Sequence, residues 1–540
     1  MRRSGIALLA ALTLIAWVTP AAAQPTVTIT GFVDHVSSWT NNLSSSDLNL
    51  ARTGDRDWYA RTRVRPDIIA EVGTTRFVLG LELDEVWGQT GNVGAVGNCG
   101  GTATGAAGTQ CSFPQRFLET ASFALNTDTQ GALEIKWAYT EFDLPLVPIP
   151  SRLRLGAQPM DILYKGGTLA SGDFAGAHLM SRWTPMLASS LTFMQSEESS
   201  TGPRDAFVRG DDIVLFASVE VTPFQGLGLR GVVSYANLIG PTSAATRFAR
   251  GGLGTGATTF PTGAGRGSAI EDRYTVGVDA RWWFGPIYVD PTLLYQFGSR
   301  DQVSPIVSIS SGPAVMTTLQ RDAWYVDVRG GWRAGALLIE LAGIYTSGNT
   351  AGERIDLNRS RLKFFEPIST DNTFFSGWTE MQASGVDYLS RLRANGGGVH
   401  SANAIGYDKY GLLIAGTRVS YALSPLLTLR AMAHARWTAE SVDTASTLAA
   451  DTGLTPRCAP ALLDASRCAD RGTASFYGAE FNLGVTWRVA NVTFDLVGSY
   501  FVAGPVLSSP AITNTATGVV ANGRHPGDAQ MISSRVRFSF

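Results

Sequence analysis

Charge is scarce in this chain: Asp, Glu, Lys and Arg make up 16% of its 540 residues, against roughly 25% in soluble domains. Lysine is almost missing, at Lys136, Lys165, Lys363 and Lys409, so nearly all positive charge is arginine. The net charge of −2 excludes an overall basic field of the kind that binds nucleic acid. Histidine is confined to His35, His178, His400, His434 and His525. No Gly-x-Ser-x-Gly elbow, phosphate loop or metal-ligand spacing accompanies them, so no catalytic residue, no metal and no cofactor is expected, and the chain is not read as an enzyme. Long apolar runs are lacking too. The longest, Gly5 to Val18, falls short of the roughly twenty residues of a membrane-spanning helix.

What is present is alternation. From Gln530 to the end, Ile532, Ser534, Val536, Phe538 and Phe540 share one face, and Ser533, Arg535, Arg537 and Ser539 share the other. A period of two, oily on one side and charged on the other, is the sequence form of a strand in a transmembrane β-barrel. At the other end, Arg2 and Arg3 precede the short apolar run, and Pro20 leads into Ala21-Ala22-Ala23. Residues 1–23 therefore read as a cleaved signal peptide, leaving 24–540 as one barrel exported to a bacterial outer membrane. The four cysteines, Cys99 with Cys111 and Cys458 with Cys468, sit in Gly-rich or polar loop stretches. Two local disulfides, Cys99–Cys111 and Cys458–Cys468, are expected in an oxidising compartment, and no neighbouring histidine suggests zinc.

Strands assigned by alternation, and turns by Gly, Pro and Asn, give an all-β, antiparallel up-and-down barrel of about eighteen strands, within a range of 16–20. Short turns at Gly73-Thr74, Pro145 to Ser151, Thr184-Pro185, Pro223 to Gly226, Gly285-Pro286, Ala334-Gly335, Ser424-Pro425 and Ala490-Asn491 alternate with long connections. That asymmetry puts the long loops outside the cell and the turns in the periplasm. Tyr477, Ala479, Phe481, Leu483, Val485 and Trp487 are predicted to face lipid, with Glu480, Asn482 and Arg488 facing inward. Aromatics such as Trp282, Trp332, Tyr421, Trp487 and Phe540 cluster at strand ends, as interfacial girdles do.

Here the chain resembles the bacterial outer-membrane porins. Val27-Thr28-Ile29-Thr30-Gly31-Phe32-Val33-Asp34 looks like the family's first strand, with Thr30 where Tyr is common, and Phe540 is similar to the C-terminal aromatic read by the barrel-assembly machinery. The resemblance implies a water-filled channel for small hydrophilic solutes and ions, set in outer-membrane lipid and lipopolysaccharide and often a homotrimer. It also implies an inward-folded loop after strand five, here residues 160–176. That loop carries Asp161 and Asp173 as acidic candidates, yet also Lys165, and it lacks the usual Pro-Glu-Phe-Gly type motif. Eighteen strands is closer to the substrate-selective members than to the sixteen-stranded general porins.

For the lumen, Arg61, Arg63 and Arg65 form a ladder on one face of strand two with Asp67 and Glu71. Arg152 and Arg154, and Arg535 and Arg537, extend it, while Glu82 and Asp84 lie beside it. Such charges either neutralise one another inside a wide barrel or set a field that selects solutes. Two functions stay open: a passive pore, or a selective channel or exporter for carbohydrate or carboxylate, with Tyr288, Tyr325, Trp283 and Phe501 as a stacking track. The long segment 349–408, with Lys363-Phe364-Phe365-Glu366-Pro367, Trp378 and a helical pattern toward Arg393, either plugs the mouth or lies on the surface.

Overall fold

The computed structural model describes residues 24–41, 56–87, 133–166, 168–197, 212–238, 269–303, 316–350, 353, 361–370, 378–381, 410–442, 474–505, 512–513, 520–521 and 527–540. The expected signal segment, both cysteine pairs and the stretch toward Arg393 lie outside these residues.

Eighteen antiparallel strands form the wall. In chain order they are β1 (Thr26–Asn41), β2 (Arg56–Val72), β3 (Thr75–Val86), β4 (Leu133–Asp143), β5 (Ser151–Asp161), β6 (Ala170–Thr184), β7 (Leu187–Glu197), β8 (Asp212–Phe224) and β9 (Leu227–Leu238). They continue as β10 (Ala269–Phe284), β11 (Ile287–Val303), β12 (Met316–Ala334), β13 (Leu337–Thr346), β14 (Leu412–Ala422), β15 (Leu427–Val442), β16 (Ala474–Val489), β17 (Val492–Ala503) and β18 (Ala529–Ser539). Each strand pairs with the next, and β18 pairs with β1 from Phe32↔Ser539 to Asn41↔Gln530. The seam is finished by Gly31 and Phe540, whose backbone groups exchange hydrogen bonds at 2.9 and 3.0 Å. Gly31 has φ +152°, and a Cβ there would sit 2.1 Å from the Arg65 carbonyl oxygen, so only glycine fits. Closure leaves the wall no edge, the condition for a sheet in lipid, where an unpaired backbone group has no water to turn to.

Alternation sorts the side chains. Leu483, Phe481, Leu191, Val278, Ile532 and Leu341 are among the exposed outward residues, and Trp282, Trp332, Trp487, Tyr421 and Phe538 ring the turn end of the wall. This apolar belt with its girdle is the lipid-facing surface of an outer-membrane barrel. One assignment fails. Tyr477, expected on the lipid side, is fully buried, with its ring 5.8 Å from that of Phe501. The reason is a bulge: the β15–β16 register jumps between Arg436↔Gly478 and Trp437↔Phe476, so parity changes at Tyr477. Gly478 takes φ +154° there.

The interior is not uniformly polar. The inward faces of β6 to β12 carry Phe174, Met194, Val214, Phe216, Val232, Leu294 and Tyr325, all buried in one cluster with Leu163, Leu169, Phe365 and Ile368. The last four come from two segments that enter the lumen. The first is the β5–β6 connection. It is shorter than the expected 160–176, because β5 runs through Asp161 and β6 starts at Ala170. The second comes from 361–370, where Leu362 bridges to Arg321 of β12 and Ser369–Thr370 pair in parallel with Ala170–Ser171 of β6. The Ile368 N–H donates to the Leu169 carbonyl at 2.8 Å, so the two segments join into one strap from the β12 wall to the β6 wall. Apolar side chains inside the barrel thus have a dry partner rather than water.

Candidate solute pathway

Near the turn end, the inward faces of several strands supply an arginine held by an acid on the same or a nearby strand. Arg537 of β18 donates to Asp34 of β1 at 2.5 Å, and Arg535 to Asp495 of β17 at 2.7 Å. Asp495 also lies 3.5 Å from Arg430 of β15. Arg65 of β2 meets Glu82 of β3 at 3.0 Å, and Arg63 meets the same carboxylate at 2.9 Å. Arg152 and Arg154 of β5 share Glu141 of β4, Arg329 holds Asp327 within β12, and Arg418 of β14 holds Glu340 of β13.

These pairs are lopsided toward solvent. Side-chain exposure is 26% for Arg537 against 0% for Asp34, 28% for Arg418 against 5% for Glu340, and 23% for Arg65 against 2% for Glu82. The guanidinium stands in front and the carboxylate behind it. Three arginine pairs among the described residues are the reverse: Arg230 with Glu220, 19% against 32%, Arg152 with Asp143, 34% against 51%, and Arg76 with Glu71, 36% against 51%. In the arginine-forward pairs the guanidinium is thus the more exposed charge, although the acids nearly balance the arginines in number.

Aromatic rings hold these arginines in place. Arg537 lies 3.9 Å over Phe32 and Arg65 lies 5.3 Å over Trp137, while Arg154 stacks on Tyr139 at 4.8 Å and Arg418 on Trp378 at 4.7 Å. A planar cation fixed by a carboxylate on its edge and a ring on its face loses little further freedom when a solute binds.

The β5–β6 connection is tied to the far wall. The Tyr164 amide donates to Asp279 at 2.5 Å, and Lys165 donates to the Asp290 carbonyl at 2.7 Å. Arg230 and Arg281 donate to the carbonyls of Ile162 and Tyr164 at 2.8 and 3.0 Å. The same two guanidiniums stack on the Tyr164 ring, at 4.2 and 5.2 Å. Burial pushes the Lys165 ammonium below its ordinary value despite the acids around it. On the turn side of this connection lies a cavity of about 730 Å³, lined in part by Arg152, Asp161, His178, Ser190, Ser218 and Arg230.

The strap is pinned by five buried charges. Arg273, Arg300 and Arg321 all reach Oε2 of Glu366, at 3.0, 2.9 and 2.6 Å, and all three also contact Glu271. Gln296 adds a two-way bond to the backbone of Glu366. A third inward piece, Trp378 to Met381, lies against β14–β16. Glu480 accepts the amides of Glu380 and Met381 at 2.7 and 3.0 Å and the Thr379 hydroxyl at 3.2 Å.

Of the sequence candidates, Arg65, Glu82, Arg152, Arg154, Arg535 and Arg537 fall on this lined wall, with β18, β1 and β2 adjacent. Arg61 and Arg63 are buried rather than solvent-facing. Asp84 pairs in register with Arg63, and its side chain lies outside the described residues. Asp161 ends β5 and lines the cavity, whereas Asp173 sits on β6, 3.4 Å from Lys136. Tyr325 and Phe501 are fully buried and Tyr288 donates to Glu340, so of the proposed stacking track only Trp283 is open, against Tyr288 at 4.7 Å. Sequence reasoning placed Arg281 and Arg430 on inward faces without naming them as lining residues and missed Arg230, Arg329 and Arg418; each is an inward-parity arginine within a few residues of a short turn.

No protein-family model matches the chain, and no curated protein matches it. The solved structures to which it is similar include three from Pseudomonas aeruginosa. OccK11 (OpdR) is 10% identical with a TM-score of 0.44, covering 95% of this chain and 96% of that one. OccK8 (OprE) is 10% identical with a TM-score of 0.45, covering 95% and 98%. OccD3 (OpdP) is 10% identical with a TM-score of 0.42, covering 96% and 92%.

Proposed function

We propose that this protein is an outer-membrane channel through which small hydrophilic solutes diffuse, and that its lumen favours anions, carboxylates foremost. Eighteen strands enclose enough width for water even after a strap takes part of it. The observation that carries the selectivity is the lopsided exposure of the wall pairs, with arginine in front and carboxylate behind. A bidentate guanidinium matches a carboxylate in geometry as well as charge. Phe540, paired to Gly31 at the seam, fits the role of an assembly signal, and residues 1–23 that of an export signal.

The test is single-channel current of the refolded protein in planar bilayers under a KCl gradient. Steady steps with a reversal potential of the sign that chloride sets are expected. A potential of the sign that potassium sets would overturn the anion preference, and silent insertion of a folded barrel would overturn the open channel.

A further inference from the structure

Trp137 of β4 lies across β3 and reaches β2. Its indole N–H donates to Asp67 Oδ1 at 3.1 Å, although Asp67 pairs in register with Gly80, and Gly80 with Trp137, so a whole strand separates the two. Gly80 lets the ring pass. A Cβ there would sit 1.8, 2.2 and 2.5 Å from Nε1, Cδ1 and Cε2 of the indole. A bulge aims the ring: the β3–β4 register steps from Gly80↔Trp137 to Leu81↔Ile135, leaving Lys136 as the extra residue. Lys136 and Trp137 therefore both turn inward, Lys136 toward Glu82 and Asp173, while Ile135 stays exposed on the lipid side.

Arg65 lies two residues from Asp67 on the same face of β2. Its guanidinium stands 5.3 Å over the indole and 5.8 Å from the centre of the Phe32 ring. On its edge is Glu82 at 3.0 Å, but the same carboxylate also meets Arg63 at 2.9 Å and Lys136 at 3.9 Å. A carboxylate divided among three cations anchors Arg65 without fixing its direction. The rings on its faces supply the direction.

We propose that Trp137 is a positioning residue of the channel: seated on Gly80 and tethered to Asp67, it keeps the Arg65 guanidinium turned toward the lumen and so sets part of the anion preference. This rests on the anion-favouring reading of the lumen. Arg65 is 23% exposed, in front of Glu82 at 2%. Without the indole the guanidinium folds back onto Glu82, and its charge is met by carboxylate before it is met by a solute. One unit charge a few ångströms from the path, in water at about 0.1 M salt, changes the local ratio of anion to cation by roughly two- to threefold. Turning that charge away forfeits a part of this, about 1.5-fold.

The experiment measures reversal potentials in a KCl gradient for the wild type, Arg65→Gln, Trp137→Leu, Gly80→Ala and the double variant Arg65→Gln with Trp137→Leu. The heat-modifiable gel shift of a closed barrel is the folding check, and Trp137→Leu, which introduces no clash, carries the test where Gly80→Ala fails it. The expected anion preference falls by roughly two- to threefold in Arg65→Gln and by about 1.5-fold in both Trp137→Leu and Gly80→Ala. In the double variant Trp137→Leu should add nothing, because the indole acts only through Arg65. Wild-type preference in a folded Trp137→Leu channel overturns the proposal, as does a Trp137→Leu loss that persists undiminished beside Arg65→Gln. Cation preference in the wild type, with an Arg65-dependent effect of Trp137→Leu still present, would instead overturn the reading of the lumen while sustaining the role of Trp137.

Discussion

Replacing Glu366 by Gln tests what holds the strap. The wild-type cluster has three arginines and two carboxylates, a net charge of +1 in a site fully shut from solvent. The substitution keeps the shape and one acceptor oxygen but leaves the site at +2. Removing one partner of a buried ion pair costs about 3–5 kcal/mol, and the retained oxygen places this case near 3. Against that stand Leu362, Phe364, Phe365 and Ile368, all buried, worth about 1.5–3 kcal/mol each, or about 6–12 together as an upper figure. The apolar side wins, so the strap stays seated and the barrel stays closed. What changes is how often the strap opens. A cost of about 3 kcal/mol is about two powers of ten in a local equilibrium. The amides of Leu362, Glu366 and Ile368, which donate to the Gln320 carbonyl, the Gln296 side chain and the Leu169 carbonyl, should exchange hydrogen for deuterium about a hundredfold faster. The double variant Glu366→Gln with Arg300→Gln returns the site to +1 and should recover a large part of the protection. Wild-type exchange in Glu366→Gln would refute the reasoning, because it would mean that the five charges contribute nothing to holding the strap.

Arg537→Gln leaves Asp34, wholly buried and with Oδ1 already unpartnered, without its cation. The heat-modifiable transition should fall by the equivalent of about 3 kcal/mol, and the anion preference should fall with it; an unchanged transition would show that Asp34 finds another donor. Tyr164→Leu removes the ring between Arg230 and Arg281 but keeps the backbone bonds of the β5–β6 connection. At about 0.5–2 kcal/mol per stacked cation, the connection should open several-fold more often, seen as added open-channel noise; quiet current at the wild-type level would mean that the backbone bonds alone hold it.

The wall was legible because its physics is local. A residue's parity follows from its position, and lipid on one side demands apolar side chains, so β10, β15 and β18 announce themselves by alternation. Where parity breaks, the reading breaks: Tyr477 looks lipid-facing only until the bulge beside Gly478 turns it inward. Arginines were legible as inward residues, but which charge of each pair meets solvent was not. That depends on the reach of the side chains across the sheet. Asp34 is short and stays at the wall, while Arg537 is long and stacks outward over Phe32.

The strap was legible only in part: 160–176 is expected to fold inward and 349–408 stays open between plug and surface, while the joining of the two is not readable. On β7 to β9 the inward positions Met194, Val214, Phe216 and Val232 are apolar, so those strands carry oil on both faces. A water-filled lumen cannot tolerate that much apolar wall, which at about 25 cal/mol per Å² demands a dry cover. The cover has to come from a connection, and it has to be apolar with polar groups only where the wall can answer them. Lys363-Phe364-Phe365-Glu366-Pro367 has that composition, and the wall answers its acid with Arg273, Arg300 and Arg321. A barrel strand that is apolar on both faces is therefore a sequence signal in its own right: it implies an inward-folded segment, and an excess of inward arginines over inward acids beside it indicates where that segment's carboxylate will dock.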